Sequence, residues 1–243
     1  MEAANFDPEY LKINPMGTVP SLVVPSLNKP LTDSRDVLNY LDEIKTPSLT
    51  PSDPKLKATM DAIIALVHSD DVGTNLILLQ ARDVKELNDK RTGGYGDFIA
   101  ARQKVLEKNH LTYPDHPFYG PKAIENGALH HLYTTGPSAE HDAFFKETHA
   151  GYARFAAEVN RLETLLVLPY AAGEQVTHAD LHVVPWLAHA MAHVGTKEIG
   201  DLSKLEDHIK RSVPDFEFGP KLRKWWENYT SREAFKEVFP ELH

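Results

Sequence analysis

Residues 46–55, TPSLTPSDPK, set Pro47, Pro51 and Pro54 among serine, threonine and aspartate. Each proline removes a backbone donor and fixes φ. Each also drives the residue before it toward extended backbone. Neither a helix nor a strand ladder runs through such a stretch, so the chain divides there. Residues 1–46 form a short first piece, residues 47–55 a linker, and residues 56–243 the larger part.

The first piece reads as a small α/β unit. Residues 7–13 suit a short helix with Pro8 in its first turn. The run INPMGTVPSLVVP, residues 13–25, follows. Residues 18–24 are β-prone, PSLNKP makes a turn, and Leu31 and Thr32 give a short return strand, so a hairpin is expected. Pro20 stands inside the first of these strands, where it lacks the donor a central strand needs. Next comes TDSRDVLNYLDEI. Asp33 or Ser34 caps a helix there, with Asp36 in its first turn, and Val37, Leu38, Leu41 and Ile44 recur at helical spacing.

Beyond the linker the periodicity is helical throughout. Residues 56–80 read as one helix, with Met60, Ile63, Ile64, Leu66 and Val67 apolar. Residues 81–94 are polar and end in Gly-Gly. Further helices are expected over 95–109, 122–133, 139–168, 179–194, 202–211 and 220–239, the last broken near Thr230 and Ser231. Residues 81–138 separate what should be two consecutive long helices. Tyr95, Phe98, Tyr113, Phe118 and Tyr119 in that insertion either line a pocket or pack as a structural extension. The expected class is mainly α.

Composition removes several function classes. The net charge is −9, from 26 basic and 35 acidic residues, which argues against a nucleic-acid or anionic-membrane partner. Cysteine is absent, so disulfides, thiolate catalysis and sulfur-held zinc are out for this chain. No run of about 18 apolar residues occurs. MEAANFDPEYLK lacks the regions of a signal peptide, so a cytoplasmic protein is expected.

GEQVTHADLHVVPWLAHA carries the clearest folding signal. Thr177 and Asp180 have capping-box spacing, and Val176 and Leu181 sit at the staple positions. This pair reads as structural. His178, His182, His189 and His193 share the helix that follows, and i,i+4 histidines can hold zinc on one helix face. No HExxH occurs, and Pro185 is expected to interrupt the helix, so packing or exposed histidines are favoured and no metal is assigned.

Taken in order, NPMGTVPSLVVP, LTDSRDVLNYLDE, YAAGEQVTHADLHVVPWL and KLRKWWENYTSREAFKEVFP resemble the glutathione transferase family. The family pattern is Asn-Pro-x-Gly-x-Val-Pro-x-Leu, a hairpin, Glu/Asp-Ser at a helix start, a Gly-x-x-x-Thr-x-Ala-Asp box and a closing Trp…Arg-x-x-Phe segment. The layout is similar to poorly characterised fungal classes. The resemblance implies a thioredoxin-like first domain, here partial, before an all-α second domain. It implies a cis Val19–Pro20 peptide that turns the Val19 backbone toward the cysteinyl backbone of glutathione. Ser34 would take the γ-glutamyl carboxylate and Asp33 the ammonium.

Glutathione would be the co-substrate, a hydrophobic electrophile the second substrate, and a detoxifying conjugation the reaction. Tyr95, Phe98, Phe118 and Tyr119 would line the electrophile pocket, and the protein would be a homodimer. The alternative is a non-catalytic glutathione- or partner-binding protein on the same scaffold. The chain departs from the pattern at its start. The family's first strand–helix–strand unit and its activating Tyr, Ser or Cys are expected ahead of Ile13, where only twelve residues stand. No residue here inherits the catalytic role, and an N-terminal truncation is expected. Asn5-Phe6 and Thr18 also replace residues common in the family.

Overall fold

Helices supply nearly all the regular structure of the computed structural model, which describes residues 3–239. In chain order they are α1 (Pro8–Ile13), α2 (Ser34–Glu43), α3 (Pro54–Val67), α4 (Asn75–Leu79), α5 (Val84–Thr92), α6 (Tyr95–Thr112), α7 (Tyr119–Thr134), α8 (Ala139–Leu165), α9 (His178–His193), α10 (Ser203–Lys210), α11 (Pro220–Thr230) and α12 (Glu233–Val238). The expected mainly α class is observed. Among the described residues, no helix is long and apolar enough to cross a membrane.

The expected hairpin is reduced to one antiparallel pair. Leu22 and Leu31 exchange both backbone bonds, at 2.8 and 2.9 Å. Among the described residues the backbone makes isolated bridges and no longer ladder. The cause is local. The next hydrogen-bonded pair in this register would be Pro20 with Asp33, and Pro20 has no N–H to give. The Thr18 carbonyl, further along, is already taken by side chains.

Two compact units emerge. One joins residues 3–46 to Asp83–Asp142, and the other joins Pro47–Arg82 to residues 143–239. The proline linker opens the second unit, but the insertion from Asp83 onward clusters with the first piece.

In the first unit, α6 and α7 pair as a helical hairpin with α5 against both. Phe6, Leu11, Leu106 and Tyr119 form its hydrophobic cluster, with Phe118, Val105 and Ala123 alongside. Burying one such large side chain contributes about 1.5–3 kcal/mol. Helix α5 falls in the stretch read as polar and irregular. Asp83 starts it by accepting from the Glu86 N–H at 2.7 Å. The Asp83-x-x-Glu86 spacing carried that signal.

In the second unit, α9 is the central helix, buried on nearly every side, as suits a helix apolar all round. Helix α3 packs on it, and Trp225, Trp226 and Phe235 close the core. Two expectations fail here. Residues 56–80 are not one helix: α3 ends at Val67, and a turn through Asp70–Val72 precedes α4. The Ser69 hydroxyl donates to the Leu66 carbonyl at 2.8 Å, one of the side-chain bonds that compete with a continuing helix. Pro185 does not interrupt α9. Its ring lies on the exposed side, where the carbonyl left without an N–H partner can meet water.

Asp180 organises the start of α9. Its buried carboxylate accepts from the Thr177 N–H at 2.8 Å and the Thr177 hydroxyl at 3.1 Å. Its other oxygen accepts from the Ala171 N–H and the Trp225 indole N–H, both at 2.8 Å.

Candidate functional site

The Val19 loop is built around Asn14, which is fully buried. Its amide Nδ2 donates to the Thr18 carbonyl at 2.9 Å, the Thr18 hydroxyl at 3.0 Å and the Ser21 hydroxyl at 3.1 Å. Its Oδ1 accepts from the Met16 N–H at 3.0 Å, and its carbonyl accepts from the Gly17 N–H at 3.0 Å. Tyr10, on α1, donates to the Thr18 carbonyl and shares a 2.9 Å bond with the Ser21 hydroxyl. Gly17 turns the chain at φ +61°, a left-handed conformation that glycine adopts without a Cβ penalty.

These contacts fix both flanks of Val19 and leave Val19 itself open. It is 73% exposed, and among the described residues neither its N–H nor its C=O is hydrogen-bonded. The Val19–Pro20 peptide is cis.

Asp33 and Ser34 begin α2. The Asp33 carboxylate caps the helix by accepting from the Arg35 N–H at 2.8 Å. Asp33 is exposed and Ser34 half-buried. The antiparallel Leu22–Leu31 pair relates these residues to Val19. Val19 lies three residues before one partner and Ser34 three residues after the other. In an antiparallel register those positions share one end of the pair. A backbone edge with a free donor and acceptor and the positive end of a helix therefore stand at the same end of this segment.

The aromatic residues of the insertion take two kinds of place. Tyr119 is fully buried, and its hydroxyl donates to the Phe6 carbonyl at 2.8 Å. Burial raises its pKa above the usual tyrosine range, with Asp7 and Tyr113 adding to the effect. Phe118 is half-buried against Phe6, ring centroids 5.3 Å apart. Tyr95 and Phe98 are also half-buried, and Phe98 lies under the Arg102 guanidinium at 5.5 Å. Burial lowers the Arg102 pKa, against an opposing pull from Glu125.

The histidines of α9 pair rather than cluster. His182 Nδ1 lies 2.8 Å from His68 Nε2. His189 bonds the Thr74 hydroxyl at 2.8 Å and His193 at 2.7 Å. Burial lowers the His189 pKa, which favours the neutral ring. Among the described residues, no group of three or more His, Cys, Asp or Glu side chains is arranged to hold a metal ion. A cavity of about 530 Å³ in the second unit is lined by His68, Asp71, Glu147, Arg154 and Trp186 among others. Arg154 is held at its edge by Asp71 at 3.0 Å and Glu147 at 2.7 Å.

Asn14 and Tyr10 were not singled out from the sequence as site residues. The Asn-Pro-x-Gly spacing was the available signal, since an asparagine before a turn commonly bonds the backbone two residues on.

A sequence model of the glutathione S-transferase N-terminal domain family matches residues 1–44. No curated protein matches the chain. Among solved structures it is similar to the β-etherase LigF from Sphingobium sp. strain SYK-6, with a TM-score of 0.58 and 20% identity over 98% of this chain and 84% of that one. Glutathione transferase F7 from Populus trichocarpa aligns with a TM-score of 0.45 and 16% identity, over 97% of this chain and 80% of that one. Residues 1–44 are thus similar to the glutathione S-transferase N-terminal domain family, and the chain shares its fold with LigF.

Proposed function

We propose that this chain binds glutathione at the Val19 end of the Leu22–Leu31 pair and conjugates its thiol to a hydrophobic electrophile. One observation carries the reading. The open Val19 backbone and the start of α2 stand at the same end of one antiparallel pair. A tripeptide with a carboxylate at one end needs both. Its central backbone adds to the Val19 edge as an extra strand would. Its γ-glutamyl carboxylate goes to the Ser34 hydroxyl and the N–H groups of α2, and its ammonium goes to Asp33. The reaction would be attack of the glutathione sulfur on an electrophilic carbon. The C–S bond forms as the bond to halide or ether oxygen breaks, that group leaves, and the thiol proton passes to solvent. Holding the two reactants together makes the step effective.

Among the aromatic residues, Tyr95 and Phe98 are assigned to the electrophile, since Phe118 and Tyr119 are committed to Phe6. The solved neighbour LigF is named a β-etherase, so an aryl ether belongs beside an aryl halide among the electrophiles tested.

Calorimetry of the chain with glutathione tests the binding. One-to-one binding is expected, weakened by Ser34→Ala and by Asp33→Ala. No heat of binding in the wild type would overturn the reading. A second reading, binding without turnover, is favoured by the hydroxyls of the loop. Tyr10 and Ser21 are bonded to each other and to atoms that hold the loop in place. Binding with no conjugation of either electrophile would select it.

A further inference from the structure

The insertion and the Val19 loop meet in the first unit, and the contacts run in a chain. At the start of α7, Phe118 packs on the Phe6 ring, and the Tyr119 hydroxyl donates to the Phe6 carbonyl at 2.8 Å. Asn109 of α6 donates to the same carbonyl at 3.4 Å. The Arg102 guanidinium covers the Phe6 ring at 4.8 Å. The residue before Phe6 then reaches the loop: Asn5 Nδ2 donates to the Gly17 carbonyl at 2.6 Å. Phe118 reaches it directly as well, for a methyl group on Gly17 would lie 2.7 Å from Phe118 Cζ. Gly17 and Thr18 lead straight into Val19.

Beyond the Asn14 network and the Leu22–Leu31 pair, residues 3–46 have little of their own to stiffen them. Their buried hydrophobic side chains are Phe6 and Leu11, and α2 buries none. Both belong to the cluster completed by Leu106 and Tyr119 from the insertion. A loop that offers backbone groups to a ligand pays for any disorder in lost affinity, and a loop already fixed does not.

We propose that the α6–α7 hairpin is the device that holds the Val19 loop in its binding conformation, with Phe118 and Tyr119 as positioning residues for glutathione. The proposal rests on the reading of Val19 as the glutathione edge. The insertion acts on that ligand from behind the loop, through Gly17 and Phe6. Its role is to set the affinity for glutathione and not for the electrophile.

Two measurements on the full chain test it: amide hydrogen exchange without ligand, and steady-state kinetics with calorimetry for glutathione. The Met16 and Gly17 amides, both bonded to Asn14, report the loop, and the amides of α9 report the second unit. In Phe118→Ala, Met16 and Gly17 should exchange about tenfold faster while α9 is unchanged. Glutathione should bind about five- to tenfold more weakly, with the KM for the electrophile unaltered at saturating glutathione. Phe118→Leu should restore most of the protection and affinity, and it serves if the alanine variant fails to fold.

Unchanged loop exchange in a folded Phe118→Ala protein would overturn the proposal. So would faster exchange spread equally through α9, or an equal rise in both KM values. If the wild type binds no glutathione, the proposed function falls, and the exchange data still decide whether α6–α7 holds the loop.

Discussion

Asn14 donates through its side chain to the carbonyl of Thr18, four residues on, at 2.9 Å, and does so from full burial. That one amide closes the turn that ends in Val19. Replacing it with alanine removes its side-chain bonds to Thr18, Ser21 and Met16 at once. A typical net hydrogen bond contributes about 0.5–1.5 kcal/mol. Asn14→Ala should therefore lower stability by roughly 2–4 kcal/mol in urea unfolding. Asn14→Asp should be no milder, because it sets an acceptor against the Thr18 carbonyl. A loss under about 0.5 kcal/mol, the ordinary surface range, would contradict this account of the loop.

Gly17 is held by two constraints that can be separated. Its φ of +61° penalises any side chain, and Phe118 fills the space a Cβ would take. Gly17→Ala should cost about 1–2 kcal/mol for the left-handed backbone alone, and more for the contact. In the double variant with Phe118→Ala the steric part should disappear and the backbone part remain. A double-mutant cycle on unfolding free energies reads the difference. Strict additivity would show that the contact is not felt.

Asp180 receives four donors in a site without exposure to solvent. Hydrogen bonds to a charged group contribute about 1.5–3 kcal/mol each. Asp180→Ala would strand the Trp225 indole N–H and two backbone N–H groups in the core, and should cost roughly 3 kcal/mol or more. Asp180→Asn keeps the shape and should cost less. Thermal unfolding followed by tryptophan fluorescence separates the two variants. Equal, small shifts in midpoint would contradict the role given to the carboxylate.

Alkaline pH should loosen the first unit. Burial raises the pKa of Tyr119, with help from Asp7 and Tyr113, and raises that of Tyr133, with help from Glu86 and Tyr95. The unfolded chain loses these protons near the ordinary value of about 10. The stability from keeping them is complete below that pH and is lost as pH rises toward the folded values. The melting midpoint should fall steeply above about pH 10, and Tyr119→Phe should flatten that fall. An unchanged slope in the variant would remove Tyr119 from the explanation.

The helices around α9 were legible because their signals are local. The Thr177–Asp180 spacing names a helix start, and 179–194 continues from it as an apolar run of helical length. Misreadings arose where a few polar side chains redirect the backbone. Asp83 starts a helix inside a polar run, and Ser69 with its polar neighbours ends one between two apolar runs. The hairpin stops at one pair because Pro20 withholds the donor that the next pair needs. The positions of Val19, Asp33 and Ser34 follow from motif order and one bridge. The company of Phe118 and Tyr119 does not. Their partner Phe6 stands 113 residues from Tyr119 in sequence, beyond the reach of any periodicity.

That separation bears on how the protein is made and cut. As the chain emerges during synthesis, Phe6 and Leu11 come out first and wait more than a hundred residues for Tyr119. Until then the first 46 residues lack the rest of their own core, and long-range closure of this kind is slow and leaves apolar surface open. A fragment ended at the proline linker, the natural place to cut by sequence, would carry the Val19 motif without the helices that bury its neighbours. Such a fragment should be sticky and unfolded, whereas the same segment fused to residues 83–142 has what it needs to fold.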